Sequence, residues 1–285
     1  MTLIWSGLAL GAVYALVAIG YNIVFISSRT FNFAHAQLMM VGTFVAYTGL
    51  VTFRLPAAVV AVLAAVVVLV LAGLEERFAV RPAASHETQL VTTLGVSTLL
   101  NGAAQLVWGG QPLTVPFFGS NEVVTVFGGR VYPVEIVLLI LAVVLVVVLG
   151  QWGKRTLLGL ALLGMSEDRE AAVLRGINTR RLVFGAFAFS GALAGVLGLF
   201  VGPKTYAVAT LGAALALKGF VALAIGGFGS LPGTLVGGLA VGLIESVTAR
   251  YLGAEFSNIM VFAVLLIILL ARPAGLFGRV RERVV

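Results

Sequence analysis

The chain has 285 residues, 60% of them hydrophobic and only 10% charged, against about 25% charged in an ordinary soluble domain. That is the composition of a polytopic membrane protein; at about 20 apolar residues per crossing it leaves no room for a soluble catalytic domain. The formal charge of +7 could suit nucleic acid, but Lys and Arg gather in the loops between hydrophobic segments, where membrane orientation explains them better, and no nucleic-acid partner is expected.

In chain order, hydropathy predicts apolar segments at 3–27, 31–52, 55–74, 89–108, 133–152, 182–203, 208–228, 232–251 and 256–271. The fold class expected is all-α, a membrane bundle of about 8–9 spans with short broken or re-entrant helices. Met1 to Leu10 has no basic region and no obvious cleavage site, so it reads as the start of a span rather than a removable signal peptide.

The segment 31–52 is interrupted near its start. Asn32-Phe33-Ala34-His35-Ala36-Gln37 places three hydrogen-bonding side chains within six residues of an apolar stretch. Such groups are costly in a membrane unless protein or water meets them. Asn32, His35 and Gln37 are therefore either an element of a gate or translocation path, or a helix break whose polar groups satisfy one another. Metal binding by His35 is not expected, because the other histidine, His86, lies in a separate loop and no carboxylate stands at ligand spacing. Asn22, Asn101 and Gln105 suit hydrogen bonds between helices, and Glu135 after Pro133 suits an interface. The loop 109–132, with Pro112, Pro116, Gly119, Gly128 and Gly129, offers a contact surface for an extracytoplasmic partner.

Between the fifth and sixth apolar segments, residues 153–181 hold the one convincingly water-exposed helix. Ser166 can cap it, Glu167 and Asp168 supply acids to its first turn, Arg175 a base to its last, and Gly176 suits the residue after its end. Within it, Glu170-Ala171-Ala172-Val173-Leu174-Arg175-Gly176 combines small residues with polar ends, a surface on which a soluble partner can approach the backbone.

Further along, Gly191/Gly195, Gly198/Gly202, Gly233/Gly237 and Gly238/Gly242 are each four apart, the spacing at which transmembrane helices pack backbone to backbone. Gly226 to Gly233 is too dense in helix breakers to continue a helix and predicts a turn. Lys218 and Glu245 lie deepest among the ionisable residues of this half. They form an intramembrane pair or each reaches its own interface, and snorkelling is the preferred account.

Orientation follows from the basic residues. With 153–181 on the cytoplasmic side, Arg29, Arg77, Arg81, Lys154, Arg155, Arg169, Arg175, Arg180, Arg181, Arg272, Arg279, Arg281 and Arg283 fall inside, 13 of the 18 Lys and Arg. The C-terminus is then cytoplasmic. No GxxxxGK[ST] occurs, since Gly153-Lys154-Arg155-Thr156 lacks the preceding glycine and a hydroxyl directly after lysine, so no nucleotide site is expected on this chain. With neither cysteine nor a HExxH or nucleophile-elbow motif, a catalytic constellation is missing and no catalytic or metal site is expected.

Four stretches taken together resemble the permease subunits of branched-chain amino acid ABC importers, of the LivH type. They are Gly11-Ala12-Val13-Tyr14-Ala15-Leu16-Val17-Ala18-Ile19-Gly20-Tyr21, Asn32-Phe33-Ala34-His35, Glu167-Asp168-Arg169-Glu170-Ala171-Ala172 through Gly176-Ile177-Asn178-Thr179, and Gly226-Gly227-Phe228-Gly229-Ser230-Leu231-Pro232-Gly233. The resemblance runs over nearly the whole length and implies a single permease domain, 1–285, in a bacterial inner membrane. It further implies a second, LivM-like permease subunit, two ABC ATPases that carry ATP and Mg, and an extracytoplasmic substrate-binding protein. On it, Glu167, Asp168, Glu170, Ala171, Ala172, Leu174, Arg175 and Gly176 belong to the coupling helix that meets an ATPase. Asn32, His35, Gln37, Lys218 and Glu245 are the candidates for the translocation path or gate. The family commonly follows the histidine motif with a small residue and an acid, where this chain has Ala36-Gln37. The reading from another class is an ion-coupled secondary transporter or channel for a small neutral solute, which would need His35, Lys218 and Glu245 as titratable groups.

Overall fold

The structure, a computed structural model, describes residues 1–120, 122–126 and 128–278. Among these residues, six helices are long and apolar enough to cross a membrane: α1 (Thr2–Ser28), α3 (Ala57–Glu75, prolonged by a π-helical turn to Val80), α4 (His86–Trp108), α5 (Pro133–Arg155), α8 (Thr179–Thr205) and α10 (Leu231–Tyr251). At 1.5 Å per residue each reaches about 30 Å or more, the thickness of a hydrocarbon core. Shorter apolar helices are α2 (His35–Tyr47, prolonged by a π-helical turn Thr48–Thr52), α6 (Leu157–Glu167), α9 (Leu211–Gly226) and α11 (Phe256–Ala271), and α7 (Arg169–Leu174) is a short connecting helix. A small antiparallel hairpin pairs β1 (Val124–Val126) with β2 (Gly129–Val131), Val124 opposite Val131. It lies within the predicted external loop, of which Asn121 and Phe127 fall outside the described residues, as do Arg279, Arg281 and Arg283 of the orientation argument.

All nine predicted apolar segments are helical. The helix the sequence does not anticipate is α6. Eleven residues, ending in the polar Ser166 and Glu167, are too few to register as a span, yet Thr156 caps them, its hydroxyl accepting the Gly159 N–H at 3.0 Å.

The chain divides into two compact units, Met1–Asn22 with Glu122–Val147 and Lys218–Val285, and Ile23–Asn121 with Val148–Leu217. The second unit is organised on α8, which packs along α2 and α3. A methyl group on Gly191 would strike the Ala72 side chain, one on Gly195 the Ala64 carbonyl, and one on Gly198 the Gly42 backbone. In the first unit, Gly238 and Gly242 bring α10 against α1 at Ala15 and Gly11, and Gly233 and Gly237 bring it against α9 at Gly226 and Ala222. Apart from Gly202, which faces the Val115 side chain, the glycines spaced by four thus mark seams where helices touch closely. Between α9 and α10 the predicted turn forms on Gly227 (φ 102°) and Gly229 (φ 82°), conformations that L side chains rarely adopt. Ser230 then caps α10 by accepting the Gly233 N–H at 3.1 Å.

Candidate functional site

The polar stretch 32–37 forms a buried junction in the second unit. Helix α1 stops where Arg29 takes a left-handed conformation (φ 58°), and Asn32 starts the next one. Its Oδ1 accepts the Ala34 N–H at 2.8 Å, an Asx turn, and its Nδ2 donates to Glu75 Oε2 on α3 at 3.2 Å. His35 Nδ1 meets Ser190 Oγ of α8 at 3.2 Å. Two turns along from His35 and on the same face, Gly42 is pressed against Ala194 and Gly195, and this close approach brings Ser190 within reach of the imidazole. The Gln37 amide fills the space that a side chain on Gly212 would need. Asn32 and His35 are 1% exposed and Gln37 2%. Among the described residues, Gln37 Oε1 and Glu75 Oε1 have no hydrogen-bond partner, so the junction is polar and incompletely satisfied, a state that costs about 1–3 kcal/mol per buried group.

Two members of this junction lie outside the sequence reading. Hydropathy ends the third segment at residue 74, where the charges begin. The helix in fact continues to Val80 and carries Glu75 and Glu76 back inside, 4% and 3% exposed. Glu76 is answered by Arg81 at 2.8 Å. Ser190 gave no signal, being one hydroxyl among small residues.

Lys218 and Glu245 belong to the first unit, and here the expectation of separate snorkelling is corrected. Lys218 Nζ lies 3.1 Å from Glu245 Oε2, an ion-pair distance without the alignment of a hydrogen bond. The same oxygen accepts the Tyr14 hydroxyl at 2.8 Å. The cause is the glycine seam: a Cβ on Gly11 would stand 2.7 Å from the Gly238 carbonyl oxygen, so α1 and α10 nearly touch. Tyr14 is three residues after Gly11 and Glu245 three after Gly242, which puts both on that seam. Gly219, beside Lys218, lets α9 close on Val17 of α1.

The exposed helix differs from its prediction at its start and ends as predicted, with Arg175 as its C-cap and Gly176 just after it. Glu167 closes α6, and Asp168 rather than Ser166 is the cap of α7, its Oδ1 accepting the Glu170 and Ala171 N–H groups at 2.9 and 3.0 Å. The helix proper has six residues, and Gly176 (φ 81°) turns the chain out of it. Glu167, Asp168, Glu170, Leu174, Arg175 and Gly176 are exposed, Leu174 to 88%, and Ala171 is half-buried. Ala172 is the correction, because it does not face outward. It is buried in a cluster with Val24, Val80, Met165, Val183 and Phe187, backed by Leu162, Ile177 and Leu182. A six-residue helix has one inward face, and Ala172, set between Ala171 and Val173, takes it. Arg29 holds the preceding segment through the Ser166 carbonyl.

Long apolar helices joined along glycine seams, with polar clusters buried between them, define a multi-pass helical membrane protein. Residues 3–269 match the family described as branched-chain amino acid transport system / permease component, and the chain belongs to that family, whose members are transport components. It is 30% identical over 291 residues to the high-affinity branched-chain amino acid transport system permease protein LivH of Escherichia coli strain K12, an alignment covering 96% of this chain and 94% of the relative. Against the permease protein BraD of the corresponding system in Pseudomonas aeruginosa, identity is 29% over 293 residues, with the same coverage. The ribose import permease protein RbsC of Haemophilus influenzae is 26% identical over 245 residues, 82% of this chain and 73% of the relative. No solved structure matches the chain.

Proposed function

We propose that this chain is a permease subunit of an ATP-driven importer of branched-chain or other hydrophobic amino acids in a bacterial inner membrane. The single domain 1–285, its C-terminus cytoplasmic, would work beside a LivM-like second permease and take substrate from an extracytoplasmic binding protein. ATP and Mg would be held by two ABC ATPase subunits docked on the 153–181 loop. The names of LivH and BraD support the cargo; RbsC, named for ribose import, marks the breadth of related permeases.

The observation that carries this reading is the two-sided geometry of α7. With its caps, its outer side offers Asp168, Glu170, Leu174 and Arg175 to a partner, with Glu167 of α6 just before it, while Ala172 is locked into a cluster with residues of α1, α3 and α8. Packed side chains transmit displacement rather than absorb it. Movement of an ATPase against α7 would therefore tilt the ends of those helices. Two of them, α3 and α8, also carry Glu75 and Ser190, the partners of Asn32 and His35. The junction would then gate from inside the subunit, opening as α2 shifts against its neighbours, rather than line an open wall.

The test is leucine uptake into proteoliposomes holding the assembled transporter, with and without internal ATP. Uptake that needs ATP and the ATPase subunits is expected. Leucine accumulation without ATPases, following an imposed proton gradient, would overturn the proposal in favour of ion-coupled transport, for which the partly buried Tyr14–Glu245–Lys218 cluster supplies the chemistry.

A further inference from the structure

The end of α3 and the start of α8 enclose a cleft of about 340 Å³ lined by Arg77, Arg81, Asn178, Arg180, Arg181 and Phe184. Arg81 is neutralised by Glu76 at 2.8 Å, and its guanidinium lies 6.0 Å from the Phe184 ring centroid. Among the described residues, Arg77, Arg180 and Arg181 have no acidic partner. Helix α8 also begins here with no acid in its first turn, so the partial positive charge of its N-terminal end adds to theirs instead of being offset. Asn178 Oδ1 caps this end by accepting the Arg181 N–H at 3.1 Å, but it carries no charge, and three arginines beside a helix end without an acid repel one another unless an anion joins them.

The surface leading away from the cleft is apolar. Leu63, Val66, Val70 and Leu74 of α3 are all exposed and fall at three- and four-residue spacing, the spacing of one helix face, which Arg77 terminates. Phe78 at the same end is 71% exposed. We propose that the cleft binds the phosphate of an anionic phospholipid, with an acyl chain along this face of α3. Basic pockets at the ends of membrane helices suit such headgroups, and guanidinium matches phosphate in a bidentate fashion. The acidic surface of a soluble protein would answer the charge but leave the apolar strip without a partner. The inference rests only on the chain being a membrane protein, not on its cargo or its ATPases.

Native mass spectrometry of the full chain in detergent tests it, with phosphatidylglycerol, phosphatidylcholine of the same acyl chains, or inorganic phosphate added. Phosphatidylglycerol should be retained in preference to phosphatidylcholine and should resist inorganic phosphate. The combined Arg77→Gln, Arg180→Gln, Arg181→Gln change should weaken it on the order of a hundredfold, whereas the three Arg→Lys changes should keep most of the preference. Equal retention of both lipids by the unaltered chain overturns the proposal without any variant having to fold. Displacement by inorganic phosphate overturns it in favour of a free anion. A glutamine variant that keeps its lipid preference but no longer co-purifies with ATPase subunits overturns it in favour of a protein contact.

Discussion

The Tyr14–Glu245–Lys218 cluster makes a quantitative prediction. Replacing Lys218 by Met leaves the Glu245 carboxylate, whose side chain is 20% exposed, with the Tyr14 hydroxyl as its remaining neighbour in the cluster. Breaking a fully buried pair from one side costs about 3–5 kcal/mol. Because part of Glu245 reaches solvent and Tyr14 still donates, the lower end applies, about 3 kcal/mol. Glu245→Gln strands the ammonium instead, and its cost should be about 2 kcal/mol, since the longer lysine stem can carry its charge towards water. The double change Lys218→Met, Glu245→Gln removes both charges and keeps an acceptor for Tyr14, so it should lie within about 1 kcal/mol of the unaltered chain. At about 2 °C per kcal/mol for a chain of this size, the expected midpoint shifts in detergent are roughly 6, 4 and under 2 °C, read by tryptophan fluorescence on the purified full chain. If the double change costs the sum of the single ones, the two groups are uncoupled and the pairing is wrong.

The outer face of α7 and its buried alanine should separate cleanly: Leu174→Asp should leave the thermal midpoint unchanged and abolish ATPase co-purification, whereas Ala172→Trp should destabilise the chain by overpacking, by about 1–3 kcal/mol or more. Equal stability of the two variants would contradict the inward orientation of Ala172. On α8, Gly195→Val should prevent correct folding because its side chain meets the Ala64 backbone, while Gly185→Ala, with nothing within 4 Å, should be neutral or stabilise by up to about 1 kcal/mol; expression and size-exclusion profiles distinguish them. For His35→Ala, loss of the Ser190 bond should lower assembly, and a gating role requires uptake per assembled complex to fall as well; wild-type turnover in the assembled fraction would leave His35 structural. Topology can be read by single cysteines in this cysteine-free chain. Ser120→Cys should react with an impermeant reagent in intact cells and Val173→Cys only after permeabilisation, Val173 being preferable to the buried Thr179; the reverse pattern would invert the orientation.

Much of the bundle is legible in the residues alone. Apolar run length sets the helices, because an unpaired backbone is prohibitive in lipid, and all nine segments appear near their predicted bounds. Glycine spacing likewise announces the seams, since four residues return a helix to the same face, and the α7 segment is marked by its charges and its closing glycine. What remained undecided is which faces meet. Helices that are apolar nearly all round have no strong amphipathic stripe to say which side turns inward, so Ala172 and Ala171 are equivalent in sequence, and only packing turns one into the Val24–Phe187 cluster. Glu75 reads as the end of a span until the helix carries it back beneath Asn32. Tyr14 and Glu245 stand 231 residues apart. Their meeting depends on the backbone contact of α1 with α10, a tertiary event that no local pattern encodes, and it turns two isolated charges of the second half into one partly buried cluster.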